Sequence, residues 1–232
     1  MGQVLKSLSV SYGCGASRCN LLAMLSANVL LMAAPAAMAE TITVAALGDS
    51  LTQGYGLMRE EGFTARLQDW LDAHDVDATV LNAGVSGDTT AGGLSRVDWT
   101  LSPEVGAMIV ALGGNDVLRG IAPETARENL TGILEAARAK DVPVLLVGIA
   151  APNNYGAAYR ESFEAIYPDL SQEFDTLYFP NFLAPLTDLG EMSEVMARYV
   201  QADGIHPNAE GVKLIVEAMG PKVAELVERA RD

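Results

Sequence analysis

The stretch Thr41-Ile-Thr-Val-Ala-Ala-Leu-Gly-Asp-Ser-Leu-Thr-Gln-Gly54 decides the fold. Its first half is apolar or β-branched and stops at Gly48, which is typical of a buried strand in a parallel sheet. Residues that can open a helix follow directly. Ser50 therefore lies just past the carboxyl end of a strand, where α/β sheets form their sites and where free helix N–H groups point. Taken alone, a Gly-Asp-Ser-Leu sequence is more often an ordinary turn than a catalytic site. Other segments are therefore needed to decide its function.

Strand and helix patterns alternate along the rest of the chain. Further strands are predicted at 77–84, 105–112, 142–149 and 176–182. Helices are predicted at 62–75, from Asp88 or Thr89 to about 101, and at 123–140, 157–173 and 209–229. Residues 183–202 have a weak pattern, with a short helix near Met192. With no internal repeat, this alternation predicts an α/β fold, a three-layer α/β/α sandwich around a mainly parallel five-stranded sheet.

The first 39 residues have the pattern of a secretory signal peptide. Lys6 and Arg18 are the only charged residues there, 21–32 is an apolar core, and small residues lead to Ala37-Met38-Ala39. We expect cleavage after Ala39. The remaining residues, 40–232, would form a single domain in the periplasm or outside the cell.

Two alternatives concern the same segment. It could remain as an uncleaved membrane anchor, but Asn28 and Pro35 interrupt a stretch that is barely long enough to cross a bilayer. The long polar stretch before the apolar core also leaves Met24 open as the true start of translation. Export with cleavage explains the pattern best, and it leaves no stable membrane anchor.

Composition excludes several classes of function. Both cysteines, Cys14 and Cys19, lie in the signal segment, so the processed chain has no disulfide, thiol nucleophile or cysteine metal site. Cleavage would remove two of the 15 basic residues and none of the 30 acidic ones, leaving a net charge of −17. Such a charge argues against nucleic acid and anionic membranes as partners. The sequence has no heptad repeat that would indicate a coiled-coil oligomer, and we expect a monomer.

Four places along the chain carry candidate chemistry. Ser50, Gly87 and Asn115 each follow a predicted strand, and Asp203-Gly-Ile-His206-Pro precedes the last helix. Because the carboxyl ends of parallel strands share one edge, these loops converge on one crevice. They supply a hydroxyl, a backbone donor, an amide donor and an imidazole with a nearby carboxylate. Acyl transfer to a serine needs this set of groups.

The histidine count points to one base. The chain has two histidines, and His74 lies at the polar end of a predicted helix, which leaves His206. An imidazole can take the serine proton and return it to a leaving group. Asp203 reaches the ring if the segment turns back on itself. Each feature alone has a plain structural explanation, a helix entry or a turn, but together they favour a serine hydrolase.

These segments resemble the four sequence blocks of the SGNH (GDSL) hydrolase superfamily. Within it, the chain is most similar to the acyl-CoA thioesterase I / lysophospholipase L1 / arylesterase subgroup, through stretches that span nearly all of the processed chain: Asn82–Thr89, Leu112–Gly120, Asn154–Gly156, Ala165–Pro168 and Asp203–Asn208. The resemblance implies a flavodoxin-like hydrolase fold. It also implies Ser50 as nucleophile, His206 as base and Asp203 as its partner.

The resemblance further implies an oxyanion hole and an acyl groove. The hole would use the N–H groups of Ser50 and Gly87 and the side chain of Asn115. The groove would be lined by residues of the substrate-responsive loop 115–120, of the loop at Asn154 and of 183–202, with these individual candidates: Asp116, Val117, Leu118, Asn154, Tyr155 and Ile205. No cofactor or metal is expected. Thr52 stands where the family more often has serine.

The expected activity is hydrolysis of acyl esters and thioesters, such as aryl esters, lysophospholipids and acyl-CoA in vitro. A carbohydrate O-acetylesterase of the same superfamily is one alternative, and an exported binding protein that has lost the chemistry is another. The sequence disfavours other hydrolases and binders, because it has no Gly-x-Ser-x-Gly elbow, no phosphate loop after the first strand and no metal-ligand spacing.

Overall fold

A parallel five-stranded sheet in the order β2-β1-β3-β4-β5 forms the centre of the molecule. The computed structural model describes residues 41–232; the predicted signal peptide and both cysteines lie outside the described residues. The strands are β1 (Ile42–Gly48), β2 (Ala78–Gly84), β3 (Val105–Ala111), β4 (Val144–Val147) and β5 (Leu177–Phe179). All neighbouring pairs are parallel. The predicted fold class is confirmed.

Helices connect the strands and cover both faces of the sheet. They are α1 (Ser50–Gln53), α2 (Phe63–Ala73), α3 (Thr90–Thr100), α4 (Gly114–Leu118), α5 (Pro123–Arg138), α6 (Ala157–Glu164), α7 (Ile166–Phe174), α8 (Ala184–Thr187), α9 (Met192–Tyr199) and α10 (Ala209–Arg229). Short 3₁₀ turns occur at Arg59–Glu61 and Asn153–Tyr155. Helix α2 packs against α10, and α3 packs against α5. Because parallel crossovers are right-handed and reverse direction after β2, these two pairs lie on opposite faces.

Apolar periodicity explains how the layers hold together. In α5, Pro123 occupies the first turn, where its missing N–H costs nothing, and Glu124 complements the helix dipole. The stripe predicted on this helix is buried: Ala126, Leu130, Ile133, Leu134 and Ala137. Strand β1 is fully buried from Val44 to Leu47, as its continuous apolar run predicts. These contacts fix the carboxyl edge of the sheet, where the candidate residues lie.

The helix predicted over 157–173 is two helices. Helix α6 ends at Glu164 and α7 begins at Ile166, with Ala165 between them. Pro168 explains the break, since its ring lacks an N–H and would collide with the carbonyl of residue 164 in a continuous helix. Strand β5 is likewise shorter than the predicted 176–182.

Two segments contain more helix than the sequence pattern predicts. Residues 114–118, expected as a turn and loop, form α4. The irregular segment 183–202 contains α8 in addition to the expected helix near Met192, which is α9. Helix α4 has five residues and α8 has four. Helices of this length are too short to show a helical period in the sequence.

The strand order places a crevice at one point of the sheet. Strand β1 lies between β2 and β3, so the chain leaves β1 in one direction and returns past it to β3. In an open α/β sheet, ligands bind outside the carboxyl ends of the strands at such a reversal. The loops that follow β1 and β3 begin at Asp49 and Leu112, and they border this crevice.

Candidate active site

Ser50 is held at a tight turn between β1 and α1. Strand β1 ends at Gly48 and the helix begins at Ser50, so the serine N–H has no acceptor within the helix. Asp49 caps the helix, and its carboxylate accepts the Leu51 N–H at 3.0 Å. A side chain at Gly48 would collide with the buried Thr52. Glycine is therefore required for the turn that presents the hydroxyl.

His206 and Asp203 complete a chain of hydrogen bonds with Ser50. The Nε2 atom of His206 lies 2.8 Å from the Ser50 hydroxyl, and Nδ1 lies 2.7 Å from a carboxylate oxygen of Asp203. An ionised carboxylate only accepts hydrogen bonds, so the ring proton belongs on Nδ1. Nε2 is then free to accept the serine proton. The predicted Asp-x-x-His geometry is present.

The Asp203 carboxylate is held by the backbone as well as by the ring. Its second oxygen accepts the N–H groups of Ile205 at 2.9 Å and His206 at 3.1 Å. These donors, led by the Ile205 N–H and joined by the imidazole, lower the pKa of Asp203 to about 2. The group is therefore ionised at any pH near neutrality and can stabilise a positive charge on the ring.

The loop that carries His206 is braced from two sides. Val200 and Pro207 form an antiparallel bridge, and the Gln201 N–H donates to the His206 carbonyl at 2.7 Å. The Gln201 side chain donates to the Tyr55 carbonyl at 2.8 Å. The Tyr55 ring lies 4.6 Å from the imidazole, centre to centre. These contacts tie the histidine loop to the loop after α1.

Gly87 and Asn115 line the same pocket as Ser50. Both border it, Gly87 from the loop after β2 and Asn115 from α4 after β3. Gly87 has a φ of 84°, a region that favours glycine. Its carbonyl accepts a hydrogen bond of 2.8 Å from Arg119. With the carbonyl fixed in this way, the loop conformation that orients the neighbouring N–H groups is fixed too.

A buried carboxylate lies beneath the site. Asp49 is 2% exposed, and the Asn115 amide donates to its free oxygen at 3.4 Å. Burial raises the pKa of Asp49 to about 6, against the lowering effect of the Leu51 N–H. Sequence reasoning gave Asp49 no role, since a capping aspartate before a serine is also what an ordinary helix start looks like.

Arg96 joins the strand ends behind the serine. It pairs with Asp88 at 2.7 Å and donates to the carbonyls of Ala83 at 2.6 Å and Gly48 at 2.9 Å. The guanidinium thus ties the end of β1 to the end of β2. Sequence reasoning missed this residue too, because its partners are backbone atoms 13 and 48 positions away.

The pocket beside the serine is mainly apolar and measures about 350 Å³. Of the residues predicted to bind substrate, it contains Val117, Leu118 and Ile205. Segment 183–202 contributes Leu183 and Thr187. The lining also includes residues without a sequence-based prediction, among them a group from the loop after α1 and from the end of β4: Tyr55, Ile149, Ala150 and Pro152. The strand-end rule could have found the β4 group.

The remaining predicted substrate residues lie elsewhere. Asp116 is fully buried, and its carboxylate accepts the Thr90 N–H at 2.8 Å and the Thr90 hydroxyl at 2.6 Å. It joins α4 to α3 and does not border the pocket. Asn154 and Tyr155 form a 3₁₀ turn that is also not part of the pocket lining. Tyr155 instead donates to the Leu118 carbonyl at 3.3 Å, behind the pocket wall.

Sequence comparison decides the family. Residues 46–214 match the profile of the GDSL-like lipase/acylhydrolase family. The chain belongs to this family. The resemblance noted from the motifs is thereby confirmed, and the matched range includes Ser50, Gly87, Asn115, Asp203 and His206.

Relatives of this family member share its full domain. Esterase TesA of Pseudomonas aeruginosa is 38% identical over 199 residues, covering 85% of this chain and 94% of the relative. Thioesterase 1/protease 1/lysophospholipase L1 of Escherichia coli K12 is 36% identical over 200 residues, covering 86% and 90%. The crystal structure of AlinE4, an SGNH-hydrolase family esterase, is 42% identical with a TM-score of 0.65, covering 81% and 97%.

Two further observations bear on what this GDSL-family domain can bind. Within residues 41–232, no helix is both long and apolar enough to cross a bilayer. The same part of the chain has no group of three or more His, Cys, Asp or Glu side chains arranged to hold a metal ion.

Proposed function

We propose that the protein hydrolyses acyl esters and thioesters through an acyl-enzyme on Ser50. The observation that carries the proposal is the hydrogen-bonded chain from Asp203 through His206 to Ser50, with distances of 2.7 and 2.8 Å, at the edge of an apolar pocket. Family membership and relatives named as esterase and thioesterase support the same activity.

In the first step, the Ser50 oxygen attacks the acyl carbonyl while Nε2 of His206 takes its proton. The ionised Asp203 holds the Nδ1 proton and stabilises the imidazolium that forms. The tetrahedral oxyanion receives hydrogen bonds from the N–H groups of Ser50 and Gly87 and from the Asn115 amide. Each such donor contributes on the order of 10²–10³ in kcat.

In the second step, His206 returns the proton to the departing alcohol or thiol, and the acyl group stays on Ser50. Water then enters, His206 takes one of its protons, and the hydroxide attacks the acyl-enzyme carbonyl. The same oxyanion donors serve this second tetrahedral intermediate. Protonated His206 returns its proton to Ser50 as the carboxylic acid leaves, which restores the starting state.

The pocket supports acyl chains longer than acetyl. Its lining next to Ser50 includes Val117, Leu118, Ile149 and Leu183, which offer an aliphatic chain apolar contact. A carbohydrate O-acetylesterase would need polar groups for a sugar in this place. An inactive binding protein would have no use for an intact hydrogen-bonded serine. The substrate is a small-molecule acyl ester or thioester, with no nucleic acid involved.

The proposal extends to export. Residues 1–39 act as a cleaved signal peptide, which leaves one hydrolase domain from 40 to 232, periplasmic or secreted and monomeric. The signal pattern and the acidic composition support this address. An exported enzyme would meet lysophospholipids and other esters of the envelope rather than cytosolic acyl-CoA. Mass spectrometry of the exported protein would test cleavage after Ala39.

Hydrolysis of p-nitrophenyl esters from acetyl to palmitoyl tests the activity, with Ser50→Ala beside the unchanged protein. We expect medium or long chains to be cleaved and the activity to vanish in the variant. Activity on acetyl alone would favour the carbohydrate esterase. A folded protein with no activity on any chain, or activity that survives Ser50→Ala, would contradict the proposal.

A further inference from the structure

Exposed apolar side chains cluster around the mouth of the pocket. Among residues 41–232, ten large apolar side chains are strongly exposed, and eight of them lie on loops or short helices at the carboxyl edge of the sheet. Leu81 and Trp99 are the two elsewhere. Single exposed apolar residues are ordinary on a surface, but a group around one opening marks an interaction site.

Five of these side chains form what we call the apolar rim: Tyr55, Leu118, Leu189, Met192 and Ile205. Each is between 48% and 59% exposed. Tyr55, Leu118 and Ile205 line the pocket and are exposed at the same time, so they stand at its opening. The rim therefore continues the apolar lining of the pocket outward to the surface.

The other two rim residues come from residues 188–199, which follow α8 and include α9; we call them the α8–α9 segment. Leu189 lies two residues after Thr187, which lines the pocket, and Met192 is the first residue of α9. Helix α9 reaches the histidine loop, because the end of the Met196 side chain lies against Gly204, the residue before Ile205. The rim residues thus come from the loop after α1, from the histidine loop, from α4 and from the α8–α9 segment, all at the carboxyl edge of the sheet.

The charges near the rim select among lipid surfaces. The α8–α9 segment carries Asp188, Glu191 and Glu194 against one Arg198. The whole chain has a formal net charge of −15. Anionic headgroups would be repelled by this field. A zwitterionic surface has no net charge and is not repelled. In addition, an aromatic side chain with a polar tip, such as Tyr55, suits the boundary between headgroups and acyl chains.

We propose that the apolar rim docks the protein onto the surface of aggregated zwitterionic lysophospholipid, so that an acyl chain passes from the aggregate into the pocket without crossing water. This inference rests on the proposed ester hydrolysis and adds the surface through which the protein reaches its substrate. Docking places the mouth of the pocket, and with it Ser50, at the surface where the ester bonds lie. The protein acts faster on aggregated than on dispersed substrate.

Rates on lysophosphatidylcholine across its critical micelle concentration test the inference. We expect a rise of at least about tenfold above that concentration, because burial of even one large apolar side chain favours docking by this factor. The double variant Leu189→Ser/Met192→Ser should lose most of the rise and keep its rate on monomeric p-nitrophenyl butyrate. The matched control is Trp99→Ser, which removes an 88% exposed side chain from α3.

Trp99 is a suitable control because it lies far from the mouth. It borders a separate depression with Val105 and Val142, at the amino end of β3 and before β4, on the opposite edge of the sheet. Trp99→Ser should keep the full rise. No rise in the unchanged protein, or a rise retained in the double variant, would overturn the docking proposal while butyrate hydrolysis upheld the enzymatic one.

Vesicle flotation with the Ser50→Ala variant gives a readout that needs no catalysis. We expect it to float with phosphatidylcholine vesicles, less with vesicles enriched in phosphatidylglycerol, and not after the added Leu189→Ser/Met192→Ser changes. Equal flotation of the rim variant would contradict the proposed surface, and preference for the anionic vesicles would contradict the charge argument. Failure of all ester hydrolysis would instead remove the proposed function.

Discussion

The side-chain amide of Asn115 donates to the carboxylate of Asp49 across 3.4 Å, one residue away from Ser50. The carboxylate is buried and its other oxygen is engaged by the Leu51 N–H, so it offers Asn115 one fixed acceptor. An amide has two N–H groups, and anchoring one of them directs the other. Asp49 therefore orients the amide that the proposed mechanism uses for the oxyanion.

Asp49→Asn should lower kcat by about tenfold to a hundredfold, less than outright loss of an oxyanion donor. The new amide can still accept from Leu51, but its N–H₂ group then faces the amide of Asn115, so two donors oppose each other. The Asn115 side chain must turn away. Equal kcat in the variant would show that Asn115 is oriented by other contacts.

The same variant should change how stability depends on pH. Burial raises the pKa of Asp49 from 3.8 to about 6, so the folded protein binds this proton more tightly than the unfolded chain between about pH 4 and 6. The contribution of Asp49 to the free energy of unfolding is therefore fully present below about pH 4 and is lost as the pH rises through about 6. The loss is about 3 kcal/mol at most. Urea unfolding should find Asp49→Asn relatively more stable at pH 8 than at pH 4, and a pH-independent difference would contradict this.

Asp203→Asn should reduce kcat by about 10²–10⁴ while the protein stays folded. The neutral amide cannot stabilise an imidazolium, and it can hold the ring in the wrong tautomer. The pKa of Asp203 is about 2, so the unchanged protein keeps this carboxylate ionised throughout the range of an assay. Steady-state kinetics on a p-nitrophenyl ester measures the loss. A variant within about twofold of the original would exclude Asp203 as the orienting group.

Gly87→Ala tests the backbone donor, with Gly156→Ala as its matched control. Both glycines have positive φ, 84° and 90°, and an added methyl group meets no close neighbour at either position. Each substitution strains the backbone by about 1–3 kcal/mol. Gly87→Ala should also lower kcat by about tenfold or more, because relief of the strain moves the proposed oxyanion donor. Gly156→Ala should lower the stability without lowering kcat. Similar losses of kcat in both variants would mean that the effect comes from lower stability and not from a displaced oxyanion donor.

Thr187→Trp should shorten the range of accepted acyl chains. Thr187 is an exposed residue of α8 at the pocket wall, so a large ring can be accommodated there without disturbing the core. It would fill part of a pocket of about 350 Å³. We expect palmitoyl ester hydrolysis to fall while acetyl ester hydrolysis is unchanged, as measured by kcat/KM along the ester series. An equal fall for all chains would mean that the chain lies elsewhere.

The sequence predicts the sheet and the positions of its loops because strand periodicity and glycine breaks are local signals. The same signals, strand ends and a scarcity of histidines, predict Ser50, Gly87, Asn115 and His206 as site residues, and the structure places all four at one pocket. Asp116 shows the limit of these local signals. The resemblance predicts it in the groove beside Asn115, but α4 forms and turns its side chain inward to Thr90. A five-residue helix leaves no period in the sequence that could have shown this.

The roles of Asp49 and Arg96 could not be predicted from the neighbouring sequence, for a different reason. Each gains its surroundings from elements distant in the sequence, Asp49 from α4 and Arg96 from the ends of β1 and β2. Their residue types alone suggest a helix cap and a surface charge. The α6–α7 break was in principle readable, since Pro168 cannot continue a helix from residue 164.

The hydrogen bond between Ser50 and His206 joins residues 156 positions apart, one after the first strand and one after the last. A ribosome therefore releases the proposed nucleophile and all three proposed oxyanion donors long before it makes the proposed base. A nascent chain that stops before residue 203 carries a serine with no partner to deprotonate it. The proposed hydrolysis therefore requires nearly the whole chain, because Ser50 and His206 can meet only after the loop that follows the last strand has been made.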